Sequence, residues 1–187
     1  MFETLTLCAD DGDAALASKL RRTLRSGDAP LLVDGELVRG FDDAEAALVW
    51  LGLLTTSQRL IALKAEGPIG QRGMALMLAC DLAFVGAAAT LDDSCRETPG
   101  LAALLLRRCG TARARRMLFG GIESLSEMQA AGLVQPLADL ERLLDELGGV
   151  KLAALRRRKR ALRAAQALPF EEALRFDFAF LARETAA

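Results

Sequence analysis

The stretch Lys64–Ser94, KAEGPIGQRGMALMLACDLAFVGAAATLDDS, constrains this chain more than any other. A turn containing Gly67, Gly70 and Gly73 leads into an apolar helix. The helix gives way through Cys80-Asp81 to a short strand. The first N–H groups of a helix have no partner inside it, so the stretch is a frame that points backbone donors outward. What precedes it alternates in period. FETLTLC reads as a strand, AALASKLRRTLRS as a helix with Leu16, Leu20 and Leu24 on one face, and PLLV as a short buried strand. Asp13 is placed to cap the first helix and Gly27 to close it. Asp42 or Asp43 caps AEAALVWLGLL, with Ala47, Leu51 and Leu54 inward, and residues 59–64 form a third strand. The order β-α-β-α-β implies parallel strands joined by right-handed crossovers.

Composition removes several kinds of chemistry. The chain has 187 residues, one domain's worth, enough to bury about 70% of its unfolded surface. It contains no His, which excludes Ser-His-Asp and Cys-His catalysis and argues against an ordinary zinc site. A net charge of −1 argues against a surface that seeks nucleic acid. Cys8, Cys80, Cys95 and Cys109 form no C-x-x-C pair. We therefore expect free thiols in a reducing cytoplasm and no metal. No basic leader and no long apolar run open the sequence, so neither a signal peptide nor a membrane span is expected.

Beyond the frame, ATL reads as a further strand and Pro99-Gly100 precedes the helix LAALLLRR. A new helix is expected from Thr111, and Ser124 with Glu127 forms a capping box for the next, which ends at Gly132. Residues 1–136 are read as the core and 137–187 as a helical region packing on the core or on a neighbouring subunit. Within that region KLAALRRRKRALR carries seven basic residues from Lys151 to Arg163. It is either a solvated helix or a basic surface that meets an anionic partner. Phe170, Leu174, Phe178 and Leu181 recur at helical spacing and read as a packing stripe.

Four segments in order resemble the crotonase (enoyl-CoA hydratase/isomerase) superfamily: LIALKAEG, LACDLAFVGAAATL, ETPGLAALLLRRCGTARARRMLFGG and SEMQAAGLVQPL. Together they cover about half of the chain. The resemblance implies an α/β fold, a spiral of β-β-α units with a helical C-terminal part, usually assembled into trimers. It also implies a coenzyme A thioester as substrate, no other cofactor, and an oxyanion hole of two backbone N–H groups. The segments AEGPIG and ARARRMLFG look closest to a divergent branch that includes the short accessory homologue of dihydroxyphenylglycine biosynthesis, which assists a polyketide synthase.

Carried over without gaps from Gly67 to Asp81, the family's triple-Gly turn falls on Gln71, Arg72 and Gly73. The second oxyanion donor is then the N–H of Arg72. The family's two proton-moving carboxylates fall on Ala75 and Cys95, and Glu97 is the nearest carboxylate to the second position. Gly40-Phe41-Asp42 is the only counterpart of the loop that supplies the first donor, and the chain is shorter than a typical member before residue 60. Arg72, Gly73, Cys95 and Glu97 are the candidate site. Arg72 suits a carboxylated acyl group through its guanidinium or, alternatively, closes a site that no longer works. Cys95 is a nucleophile or a pocket wall, and Glu97 an acid–base group or a loop charge. Two functions follow. One is a helper subunit, or an enzyme active only with its partner, joined to another crotonase-like or polyketide synthase subunit. The other is an enzyme stabilising the enolate of an acyl-CoA or acyl-carrier thioester, as a decarboxylase or isomerase would.

Overall fold

In the computed structural model, residues 2–121, 124–169 and 171–176 are described. The chain divides into two compact units, Met1–Gly149 and Val150–Ala187. The first unit holds strands β1 (Glu3–Leu7), β2 (Leu31–Gly35), β3 (Ile61–Ala65), β4 (Pro68–Ile69), β5 (Leu82–Val85), β6 (Thr90–Leu91) and β7 (Gln135–Pro136). Its helices are α1 (Asp13–Ser26), α2 (Ala44–Thr56), α3 (Gln71–Ala79), α4 (Leu101–Gly120), α5 (Leu125–Ala130) and α6 (Ala138–Gly148), with a 3-10 turn at Asp93–Glu97. The second unit holds α7 (Leu152–Ala167).

Five strands form one parallel sheet in the order β1-β2-β3-β5-β7, and β4 pairs with β6 in a second, two-stranded parallel sheet. The strand order never reverses, so this is not a doubly wound sheet with a switch point. Between β3 and β6 the chain lays one strand into each sheet, crosses through α3, and lays one more into each. That repeat is a β-β-α spiral, as expected from the resemblance.

Period-2 alternation sorts the large sheet's two faces. Leu5, Leu7, Leu31, Val33, Ile61 and Leu63 point inward against Leu16 and Leu20 of α1, Trp50 and Leu54 of α2, and α3. Ala62 and Phe84 point to the other face, where Leu140 of α6 covers them. Residues Arg72–Ala79 of α3 are all buried, which is why this helix has no polar stripe.

Several sequence expectations shift in detail. Gly12, not Asp13, stands at the N-cap of α1, and Asp13 is the first helical residue with its carboxylate turned inward. Of the two candidates for capping α2, Asp43 does so, accepting from Glu45 and Ala46 N–H. On α2, Trp50 rather than Leu51 is the deeply buried residue between Ala47 and Leu54. The helices expected on either side of Thr111 run on as one element kinked at Gly110, whose φ of 73° suits Gly. Ser124 caps α5 as expected, accepting from Glu127 N–H at 3.2 Å. In the apolar stripe, Phe170, Phe178 and Leu181 lie outside the described residues.

Candidate functional site

The site lies where three pieces of chain meet: the turn Gly67–Gly73 entering α3, the segment 36–43 after β2, and the 3-10 turn 93–97. Gly70 caps α3 with extended backbone and no side-chain bond, leaving the first N–H groups of the helix to other partners. Segment 37–39 supplies them. Gly70 N–H donates to the Leu37 carbonyl at 3.0 Å and Arg72 N–H to the Arg39 carbonyl at 3.1 Å. Leu37 and Ile69 also form a parallel bridge. The approach is close enough to require glycine. A Cβ on Gly70 would stand 2.0 Å from the Val38 carbonyl oxygen, and one on Gly73 2.5 Å from that of Leu37. The N–H that the resemblance assigns to an oxyanion is thus bonded to the chain's own backbone.

The Arg72 side chain runs inward and is 1% exposed. Its Nη1 donates to the Asp11 carbonyl, while Nε and Nη2 have no hydrogen-bond partner. Burial lowers its pKa, opposed by the nearby carboxylates of Asp13, Asp42 and Asp11. Asp13 is fully buried and accepts from Trp50 Nε1 at 2.9 Å, Asp42 N–H at 2.8 Å and Asp43 N–H at 3.1 Å. Asp42 returns the contact, its Oδ1 accepting from Asp13 N–H at 2.8 Å. The bond from Asp13 N–H holds the Asp42 carboxyl below the usual carboxylate range, with a smaller effect from the Arg39 and Arg72 charges. Phe41 stacks on Trp50 with ring centroids 5.9 Å apart and planes 9° from parallel. The loop carrying Gly40-Phe41-Asp42 is therefore clamped from both sides, and its neighbour Arg39 is tied by Nη1 to the Ala9 carbonyl at 2.7 Å.

Gly73 and Cys95 both lie against Ile69, whereas the Arg72 side chain runs to Asp11 and Glu97 is exposed. Cys95 is buried and donates its thiol proton to the Ile69 carbonyl at 2.9 Å. Burial pushes this thiol up to about 11, so it stays protonated near neutral pH. Glu97 is exposed, and it is its backbone carbonyl that meets the turn, accepting from Gln71 Nε2 at 3.5 Å. Ala75 is buried, as a helix-core methyl should be. Asp81 accepts from Ile61 N–H at 2.8 Å, joining the end of α3 to β3. Asp13, Trp50 and Arg39 were not legible from the sequence as parts of this site. Thirty-seven residues separate the buried Asp13–Trp50 pair, and Arg39 acts through a carbonyl every residue possesses.

Among the described residues no group of three or more His, Cys, Asp or Glu could hold a metal ion. Among them, too, no helix is long and apolar enough to cross a membrane.

No protein-family model matches the sequence, and no curated protein does. Solved structures match over the whole chain. An enoyl-CoA hydratase/isomerase family protein from Silicibacter pomeroyi matches with a TM-score of 0.79 and 22% identity, covering 100% of this chain and 95% of that one. Pseudomonas aeruginosa AtuE matches with 0.78 and 21% identity, over 100% of this chain and 88% of its own. An enoyl-CoA hydratase/isomerase from Marinobacter aquaeolei matches with 0.76 and 14% identity, over 100% and 88%. The chain has the crotonase fold.

Proposed function

We propose that this chain is a divergent crotonase-fold protein of acyl-CoA or polyketide metabolism that works as a helper subunit, or as an enzyme only together with its partner. The observation that carries this reading is the bond from Arg72 N–H to the Arg39 carbonyl. An oxyanion hole works by holding donors ready where negative charge develops. Here the donor already has an acceptor, on a segment whose Leu37 and Val38 carbonyls approach the turn so closely that only glycine fits at 73 and 70. The two positions where the family would place proton-moving carboxylates hold a buried methyl, Ala75, and a protonated thiol, Cys95. The likeness of AEGPIG and ARARRMLFG to the dihydroxyphenylglycine branch supports a polyketide synthase as the partner. A reducing cytoplasm suits the four cysteines, which are free. We place the contact with the partner, or with further copies of the chain, on the basic run Lys151–Arg163.

One observation favours the second reading, an enzyme acting through an enolate. Arg72 Nε and Nη2 are buried without partners, and a guanidinium fork matches a carboxylate. If a partner drew segment 37–42 away, the Arg72 N–H would face a thioester and the fork a carboxylated acyl group.

The test is an activity assay of the purified chain, alone and with any polyketide synthase or crotonase homologue found encoded beside it. As a helper it raises the partner's rate, Arg72→Ala leaves that effect intact, and Arg156→Glu with Arg157→Glu and Arg160→Glu removes it. As an enzyme it turns over an acyl-CoA, and Arg72→Ala weakens a carboxylated acyl-CoA by about 1.5–3 kcal/mol, the range for a hydrogen bond to a charged group. If neither set of variants changes either rate, function lies elsewhere on the chain.

A further inference from the structure

The outward face of the large sheet carries a groove that the site above does not use. Strand register sets out two rows across that face. Thr4, Leu32, Ala62 and Leu82 stand side by side, and Lys64 pairs with Phe84 one step further along. Helix α6 covers only part of it, placing Leu140 on Ala62 and Phe84. The rest stays open as a cavity of about 830 Å³, floored by Thr4 and Leu32 and walled by Leu140 and Leu144. That volume falls within the usual range of small-molecule sites, roughly 300–1,000 Å³. The small residues Gly86, Ala87 and Ala88, just after β5, line its edge.

Its charges are one-sided. Among the described residues Lys64 is the only cation lining the cavity, against the carboxylates of Asp34, Glu66 and Glu141. Lys64 Nζ lies 2.6 Å from Glu66 and 3.5 Å from Asp34. Two negative charges therefore remain beside an apolar trough. A coenzyme A tail, with its phosphates, would be repelled here, whereas a cation with an apolar body is matched at both ends.

We propose that this groove binds a small amphipathic amine, an alkyl- or arylalkylammonium whose body lies on Leu32, Leu140 and Leu144 and whose charged end meets Glu141, the lining carboxylate that Lys64 does not pair. No covalent step is involved.

The experiment is an NMR titration of the full chain with three probes of one shape: 3-phenylpropylammonium, 3-phenylpropanol and 3-phenylpropionate. The ammonium is expected to shift the methyl signals of Leu32, Leu140 and Leu144 saturably, the alcohol to bind more weakly, and the carboxylate not to bind. Glu141→Gln should weaken the ammonium about 1.5- to 5-fold, the range for a partly exposed ion pair. Leu144→Trp, which fills the trough, should abolish its binding. Circular dichroism and Trp50 fluorescence report whether each variant folds, and Glu141→Gln, on the surface, keeps the test open should Leu144→Trp not fold. Unsaturable shifts, shifts elsewhere, binding of the carboxylate as strong as that of the ammonium, or indifference to Glu141→Gln would overturn the proposal.

Discussion

The resemblance puts Cys95 where a carboxylate would move a proton, and the structure holds it there as a buried thiol. A thiol that donates to the Ile69 carbonyl and is raised by burial to about 11 is a neutral hydrogen-bond donor. The sign of its linkage follows from that value. The folded state holds the proton more tightly than an unfolded cysteine does, so the contribution is complete below about pH 8.5–9. It is lost as pH rises through about 11. Urea unfolding of the wild type and Cys95→Ala at pH 8 and at pH 11 should show the wild type losing about 1–3 kcal/mol more than the variant, with the titration of the other groups cancelling in the comparison. Asp13 has the opposite character: a side chain in the core that accepts from three donors and lies near the Arg72 guanidinium. Asp13→Ala strands the Trp50, Asp42 and Asp43 N–H groups together. We expect a loss of about 2–4 kcal/mol, beyond a single hydrogen bond because buried donors are left unpaired. Trp50, the one tryptophan, reports it directly by fluorescence.

At the scale of elements, the entry to α3 and segment 37–39 fold as one unit. Glycine substitutions separate close approach from mere flexibility. Gly70→Ala puts a methyl 2.0 Å from the Val38 carbonyl oxygen and should cost about 1–3 kcal/mol or more, as overpacking does. Gly67→Ala, in the same turn, meets nothing within 4 Å and should be nearly neutral in thermal unfolding. Equal effects at the two positions would show that segment 37–39 does not press on the turn. Much of this architecture is legible in sequence because it is local. The alternation of FETLTLC, the Asp43 cap and the Ser124-Glu127 box each depend on residues within one turn of each other. The helix break expected at Cys109–Thr111 is present as the Gly110 kink, though the helix continues past it. What sequence could not reveal is set at long range. Arg72 is visible as an odd residue in a glycine turn, but nothing near it says that its N–H meets Arg39 or that its guanidinium reaches Asp11. Nor does spacing tell a carboxylate that caps a helix from one that turns inward, which is how Asp13 departs from expectation.

At the scale of the whole molecule, a β-β-α spiral brings segments distant in sequence to one end of α3, and the same fold can hold a thioester or its own carbonyl there. Fold alone does not choose between them. The proposed reading, with Ala75 and Cys95 where the family's two carboxylates would fall, gives one expectation. Each general acid or base contributes about 10²–10⁴-fold, so the purified chain should hydrate crotonyl-CoA several powers of ten more slowly than an ordinary hydratase. Turnover at an ordinary rate would mean that Glu97 or another carboxylate reaches the site. The claim beneath this expectation concerns one amide. Hydrogen exchange resolved at Arg72 by NMR, without and with saturating crotonyl-CoA, tests it most directly. The Arg72 amide is expected to exchange as slowly as the core amides of α3 and to keep its chemical shift when the thioester is added, because its proton belongs to the Arg39 carbonyl. Fast exchange in the free chain, or a shift of that amide on adding the thioester, would show an open oxyanion hole and contradict it.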